Sequence, residues 1–342
     1  MRSLRIAITA DPGIPVPPRH YGGIERIVHL LACGLSERAH EITLFADGAS
    51  QVPGRLVAYP ASTGNSTGDF IRNAARITRE IQKGHFDLIH SFGRLGYLAT
   101  LLPLRIPKLM SYQRPITPRS IIWSTRMAHG SLHFTACSRQ MTAPVRHLAG
   151  WYVVYNGVPP ERYEFRPTVD ADAPLVFLGR IEYIKGAHLA VEVAKRTGRK
   201  LTIAGNIPGD HAAYFDAWIK PYVDGRQISY VGPVDDCQKN TLLGGAAALL
   251  MPILWDEPFG IVMAEALACG TPVIGLRRGS VPELVQHGVN GFVSESLEAM
   301  VAAVGRLGEI DRCKCRRVME DSFSGPAMVD SYLNVYRSML AA

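Results

Sequence analysis

Three groups of residues have the types and spacing needed to handle an anionic, hydroxyl-bearing ligand. The densest is the run Asp256-Glu257-Pro258-Phe259-Gly260-Ile261-Val262-Met263-Ala264-Glu265-Ala266-Leu267-Ala268-Cys269-Gly270-Thr271-Pro272-Val273-Ile274. A strand-like segment ends in carboxylates, Pro-Phe-Gly makes a turn, and a helix follows. Glu265 lies inside that otherwise apolar helix, where a charge ordinarily faces water. Flanked by Ala264, Ala266, Leu267 and Ala268, it is expected to point at something polar. A carboxylate there can accept hydrogen bonds from two neighbouring hydroxyls of a ribose or hexose; a favourable position in the helix dipole is the plainer alternative. The second group is Gly179-Arg180 at a strand end followed by Lys185-Gly186 at a helix start. Two cations on one short loop can both reach a diphosphate, Arg through its fork and Lys as a point charge. The third is Gly22-Gly23 with Glu25, where glycines let a ligand approach the backbone and a helix N-terminus offers N–H groups to an anion. It lacks the Gly-x-Gly-x-x-Gly spacing of a dinucleotide site, and no Walker lysine follows.

These residues are positioned by alternating strands and helices. Leu4–Thr9 reads as a short buried strand, and Ile24, Ile27, Val28, Leu31 and Leu35 then recur on one helical face. Glu41–Ala46, Asp87–Ser91, Leu109–Tyr112, Leu132–Ala136 and Tyr152–Tyr155 continue the strand series, with a helix over 69–83. Prolines 159, 160, 167 and 174 then interrupt the pattern and mark a linker. The alternation restarts with strands at Leu175–Leu178, Leu201–Ala204, Ser229–Val231, Ala248–Pro252 and Pro272–Gly275, with helices over 186–197, 235–247 and 259–269 and a last one over 326–340. The expectation is α/β: two Rossmann-like domains with doubly wound parallel sheets, facing each other across a cleft. Their bounds are 1–160 and 161–325, followed by a C-terminal helix over 326–342. Ligands in such sheets bind beyond the carboxyl ends of the strands, so all three groups fall in the right loops.

The 342 residues, 47% hydrophobic and 20% charged, suffice for two cores and exclude a disordered chain. The near-apolar run Gly244–Trp255 is too short to cross a bilayer. Met1-Arg2-Ser3 runs straight into a strand without a signal-peptide apolar region, so a cytoplasmic location is expected. Of six cysteines, only Cys313-x-Cys315 is a close pair, without the partners a zinc site needs. The formal charge of +7 is spread without a basic-aromatic block, which favours a small phosphorylated ligand over nucleic acid. Peripheral membrane contact stays open, though no basic amphipathic helix stands out. Asp170-Ala171-Asp172 sits in the linker before a strand and reads as solvated charge, so no metal is expected.

The Glu257-x7-Glu265 element with its Phe-Gly and Gly-Thr-Pro-Val neighbours resembles the signature of the retaining glycosyltransferases of family 4, which have the GT-B fold. Gly22-Gly23-Ile24-Glu25, Asn156-Gly157-Val158 and Gly179-Arg180 through Lys185-Gly186 are similar to the family's other motifs and occur in the same order. The resemblance covers nearly the whole chain. It implies that Arg180 and Lys185 bind the donor diphosphate and stabilise the leaving group, that Glu265 holds the ribose, and that Glu257 contacts the donor sugar. Backbone N–H groups at Phe259, Gly260 and Ile261 would meet the phosphates or sugar, with Gly179 beside them and Gly22 and Gly23 closing on the diphosphate from the other domain. The last helix would return to the first domain. Gln113 stands where many members place a histidine, which keeps hydrogen bonding and removes proton transfer at that position. His90 becomes a catalytic or acceptor-side candidate by topology, and Tyr21, Glu25, Gln113, Asn156 and Ser138 are acceptor or sugar candidates.

The implied reaction moves a sugar from a nucleoside diphosphate donor, UDP ahead of GDP, to a hydroxyl with retention of configuration and without a cofactor. The acceptor loops around His20-Tyr21, Phe92-Gly93-Arg94 and Gln113-Arg114-Pro115 are basic and aromatic. They suit an antibiotic-like small molecule, an oligosaccharide, an envelope glycan or a lipid-linked acceptor of a bacterium. The alternatives are a nucleotide-sugar epimerase or hydrolase on the same fold, a dinucleotide oxidoreductase, and a non-catalytic sugar-nucleotide-binding protein. Oligomeric state is not legible.

Overall fold

The computed structural model describes residues 2–19, 22–61 and 66–341. They divide into two units, residues 1–157 with 325–342, and residues 158–324.

The first unit is built on β1 (Arg5–Thr9), β2 (Glu41–Ala46), β3 (Arg55–Ala58), β4 (Leu88–Ser91), β5 (Lys108–Tyr112), β6 (Leu132–Ala136) and β7 (Trp151–Val153). All pairings are parallel, in the order β3-β2-β1-β4-β5-β6-β7. The unit's helices are α1 (Gly23–Glu37), α2 (Thr67–Lys83), α3 (Pro118–Ala128) and the single turn α4 (Arg139–Thr142). Ile6, Ile8, Leu44, Ile89 and Leu109 are fully buried, as expected of a parallel sheet covered on both faces. α1 buries Ile27, Val28, Leu31 and Leu35, the stripe read from the sequence.

The second unit contains β8 (Leu175–Leu178), β9 (Leu201–Ala204), β10 (Ile228–Tyr230), β11 (Ala248–Met251), β12 (Val273–Leu276) and β13 (Gly291–Ser294), parallel in the order β10-β9-β8-β11-β12-β13. Its helices are α5 (Ala187–Thr197), α6 (Ala212–Trp218), α7 (Asp236–Gly244), α8 (Ile261–Ala268), α9 (Val281–Leu284), α10 (Leu297–Gly305) and α11 (Arg312–Ser322). α7 opens with a capping box, in which Asp235 accepts from Gln238 N–H and the Gln238 side chain accepts from Asp235 N–H. α12 (Gly325–Ala341) belongs to the first unit and lies on α1. A Cβ at Gly34 of α1 would come within 2.6 Å of Val329 of α12, so the glycine sets how closely these helices pack.

Each sheet reverses its direction of winding once, between β1 and β4 in the first unit and between β8 and β11 in the second. Such switch points open a crevice beyond the strand ends. β3, β13, α6, α9, α10 and α11 were not anticipated. The proline-rich segment read as a linker is instead packed onto the second unit: Arg166 N–H bonds Cys269 O, and Glu164 N–H bonds Asn240 Oδ1. The buried Arg312 of α11 holds it further, donating to Arg166 O, Gly244 O, Ala246 O and Thr271 Oγ1. Gly244 O and Ala246 O lie at the C-terminal end of α7, where the helix dipole favours a cation.

Candidate functional site

At the switch point of the second unit, Gly179-Arg180 follows β8 and leads into a 3-10 turn at Tyr183–Lys185. The loop after β11 carries Trp255, Asp256 and Glu257 into α8. The two loops are tied through their backbones, Leu254 N–H bonding Ile184 O at 2.8 Å. Gly186 has φ +76°, and a Cβ there would stand 1.9 Å from Pro252 O, so only glycine lets the loops come this close. From the other side, the turn after β12 braces Glu257: Ser280 N–H bonds Glu257 O and Ser280 Oγ bonds Phe259 O.

On this frame Lys185 Nζ forms an ion pair with Glu257 Oε2, and the same oxygen accepts from Trp255 Nε1 at 2.9 Å. The ammonium also stands 4.8 Å from the Trp255 ring centroid. Glu257 Oε1 takes part in neither bond, and an ammonium has three donors, so the pair has capacity left for a sugar hydroxyl and a phosphate oxygen. Arg180 NH1 is 2.9 Å from Glu182 Oε1, with the Arg180 side chain 43% exposed and Glu182 nearly covered. α8 begins at Ile261 behind Gly260, which has φ +68°. Its first turn follows the Glu257 loop directly, and free backbone N–H groups at a helix start suit an anion. The Phe259 side chain is buried edge-to-face on Phe323, so any part it plays near the ligand falls to its backbone.

Glu265 is 6% exposed. Its Oε1 accepts from Lys239 Nζ at 2.6 Å and from Tyr163 Oη at 2.8 Å, and its second oxygen takes part in neither bond. Lys239 and Tyr163 were missed in the sequence. Lys239 reads as an ordinary surface charge on α7, and Tyr163 sits in the segment read as linker. The packing of α7 and of the segment before β8 near α8 brings both to one carboxylate.

The first unit has its own polar cluster, described by itself. Asp11, just beyond β1, accepts from Arg94 N–H at 2.9 Å and from the Arg114 guanidinium at 2.8 Å, joining the loops after β1, β4 and β5. Glu25, on the first turn of α1, is 6% exposed; burial pushes its carboxyl up, and the Asp11 charge adds to this. A Cβ at Gly22 would meet Pro18 at 2.6 Å and Glu25 at 2.9 Å, whereas Gly23 faces open space. Gln113 and Asn156 exchange two amide bonds of 2.9 and 2.7 Å. Beside Gln113, a cavity of about 190 Å³ opens at the carboxyl ends of β4 and β5, lined by Phe92, Gly93, Arg94, Tyr112, Arg114 and Thr117 among others. Among the described residues, the buried Tyr112 hydroxyl on its wall forms no hydrogen bond of good geometry; burial pushes its pKa up, and the nearby Ser120 side chain partly offsets this.

Two expectations change. His90 was placed at a strand end facing ligand; the structure buries it completely, with Nδ1 2.7 Å from Tyr336 Oη and Nε2 2.6 Å from Ser111 Oγ. Both nitrogens are used, and burial lowers its pKa to about 3, so it is a neutral structural group tying β4 and β5 to α12. Ser138 is likewise fully buried, and its hydroxyl caps α4. Tyr21 and His20 lie outside the described residues. Asp172 pairs with Lys200 at the surface. Among the described residues, no group of three or more His, Cys, Asp or Glu side chains is arranged to hold a metal ion.

The comparison with known proteins agrees with this architecture. The Glycosyltransferase Family 4 model matches residues 21–162, and the Glycosyl transferases group 1 model matches residues 164–319. The chain is 31% identical over 157 residues to an uncharacterized glycosyltransferase of Methanocaldococcus jannaschii, covering 41% of this chain and 40% of that protein. It spans about 40% of the length of the first curated relatives it matches. Among solved structures, AviGT4, a glycosyltransferase involved in avilamycin A biosynthesis, superposes with a TM-score of 0.71 at 26% identity, covering 99% of this chain and 98% of that one. The Anabaena protein Alr3699/HepE in complex with UDP-glucose gives a TM-score of 0.75 at 18% identity, covering 98% and 100%. Two parallel-sheet units with these matches define the GT-B class of glycosyltransferase, and within it the chain is a family-4-like glycosyltransferase.

Proposed function

We propose that the chain transfers a sugar from a nucleoside diphosphate donor, UDP ahead of GDP, to a hydroxyl of a small-molecule, oligosaccharide or lipid-linked acceptor, with retention of configuration. The observation that supports this reading is the Lys185–Glu257 ion pair between the loops after β8 and β11, with Arg180 on the first of these loops and Glu265 on the helix that follows the second. Glu265 holds the ribose through its free oxygen, with Lys239 and Tyr163 fixing its orientation. Glu257 contacts the sugar. Arg180 and Lys185 neutralise the charge that grows on the departing diphosphate, and such preorganised electrostatics is commonly the largest single term in catalysis. In a retaining transfer of this kind, the departing phosphate oxygen accepts the proton of the acceptor hydroxyl on the same face, so no protein base is needed there. Two cations and a helix N-terminus supply the charge that a metal would otherwise bring, so no cofactor is assigned. Binding of UDP-glucose by Alr3699/HepE favours UDP as the base. The relation to an avilamycin enzyme favours a natural-product acceptor, with an envelope glycan as the second choice.

The test is calorimetric titration with UDP, GDP, dTDP, ADP and NAD, with and without magnesium, followed by the anomeric configuration of the product. Metal-independent binding of one nucleoside diphosphate, weakened about tenfold in Glu265→Gln, supports the reading. Binding of NAD alone would sink it. Donor turnover that ignores every acceptor would point to the epimerase or hydrolase.

A further inference from the structure

Between Asp87 and Glu161 the sequence contains seven arginines and one lysine and not one carboxylate, which exceeds the chain's entire excess of +7. The remainder of the molecule is therefore close to neutral. Lys108 is the buried member, its ammonium held by Leu104 O and Ile106 O, and the arginines at 94, 105, 114, 119, 126, 139 and 146 are all exposed.

Within this stretch α3 has two faces. Ile121, Ser124 and Ala128 are buried against the unit. Arg119, Ile122, Trp123, Arg126 and Met127 recur at i, i+3, i+4, i+7 and i+8, the spacing of one continuous helical stripe, and they face outward. Ile122 is 38% exposed, Trp123 47% and Met127 39%. Neither Arg119 nor Arg126 forms an ion pair among the described residues. The helix begins at Pro118, next to Thr117 and Ser120 on the wall of the cavity described above.

We propose that this face of α3 docks the first unit on an anionic lipid bilayer. An indole and two aliphatic side chains between uncompensated guanidinium groups suit the headgroup–acyl boundary, which takes up the apolar groups while anionic headgroups attract the cations. A second copy of the chain fits poorly, because the same stripe facing itself sets arginine against arginine across a small apolar patch. A nucleic acid would use the arginines and leave Ile122 and Met127 without a role. Docking here places the cavity at the carboxyl ends of β4 and β5 beside the membrane, so an acceptor carried on a lipid could enter it. The docking itself is independent of sugar transfer.

The experiment is flotation of the whole protein with vesicles of phosphatidylcholine alone and of phosphatidylcholine mixed with phosphatidylglycerol, with Trp123 emission read in parallel. The expected result is binding to the mixed vesicles only, reversed by high salt, with a blue shift that Trp123→Ser abolishes. Replacing Arg119 and Arg126 together with Gln should weaken the partition coefficient roughly 25-fold, since each surface cation contributes roughly fivefold near an anionic membrane. All three residues are exposed, so unchanged melting temperatures verify folding of the variants. Absence of binding to the mixed vesicles overturns the proposal, as does equal binding by wild type and variants. Loss of a dimer, or of RNA binding, in the same variants without any lipid effect also overturns it and assigns the face to that partner. No donor enters the assay, so failure here leaves the sugar-transfer reading standing, and failure of that reading leaves this one.

Discussion

At the switch point of the second sheet the loops are joined by charge: Lys185 to Glu257, Arg180 to Glu182, Lys239 to Glu265. At the corresponding place in the first sheet, among the described residues, Asp11 gathers three loops with one ion pair to Arg114, and the neighbouring polar contacts are neutral, with the Gln113–Asn156 amide pair in front and the His90–Ser111–Tyr336 bonds behind. On the function proposed above, the difference would match two tasks. A diphosphate is the same in every donor, and fixed charges preorganise for it. An acceptor would be particular, and a surface of amides, aromatic rings and a buried phenol can be altered by substitution without stranding a buried charge.

The sharpest way to break this contrast is at Lys185. Lys185→Ala should lower the rate of donor turnover about 10²–10³-fold with little change in melting temperature, as for loss of one oxyanion donor. Near-full turnover in that variant would remove charge as the organising principle of the second unit. Arg312→Leu asks whether the second unit depends on its buried cation. Five acceptor groups each lose a hydrogen bond, and denaturant titration should show a loss of about 3 kcal/mol or more.

The first unit is probed through pH. His90 stays neutral when folded down to about pH 3, whereas the unfolded chain takes up a proton near pH 6.5. The folded pKa is depressed, so stability is full above 6.5 and falls as pH drops through the window toward 3, by about 1.4 kcal/mol per unit from this group. At pH 5 the loss is about 2 kcal/mol, and His90→Gln should flatten the slope of stability against pH by that share. An unchanged slope would mean that the imidazole is not the titrating group. The smallest effect is expected at Tyr112. Removing its poorly bonded hydroxyl in Tyr112→Phe should leave stability unchanged or raise it by up to about 1 kcal/mol. If the hydroxyl serves the acceptor, KM for the acceptor rises while donor affinity stays constant, which separates the two units functionally.

Both sheets were legible because their central strands are short, nearly unbroken apolar runs between helical stripes, as in Leu4–Thr9 and Ala248–Met251. β3 was not, because only Val57 of its four residues is buried, and β13 begins with a glycine. Arg180, Lys185, Glu257 and Glu265 were visible as charges in apolar or glycine-rich surroundings at strand ends, and the structure gathers them in one unit. Lys239 and Tyr163 gave no such signal, since each acquires its partner only when α7, α8 and the preceding segment pack. His90 misled for a related reason. In Leu88-Ile89-His90-Ser91 every residue is buried, so alternation cannot tell which side a residue faces or what stands behind it. What stands behind it is Tyr336, which lies 246 residues further along the chain.

That long-range bond has a topological consequence. In chain terms the second unit is an insertion: the polypeptide leaves the first unit after Gly157 and re-enters it at Gly325. A gene fragment for residues 158–324 therefore encodes one whole unit without interruption, whereas the other must be assembled from two pieces of chain. A stop codon after Ser324 would spare the inserted unit and remove Tyr332 and Tyr336 from the host. The damage from a truncation at the end of the chain would then surface behind β4 and β5, far away in sequence, where His90 would lose its phenolic partner.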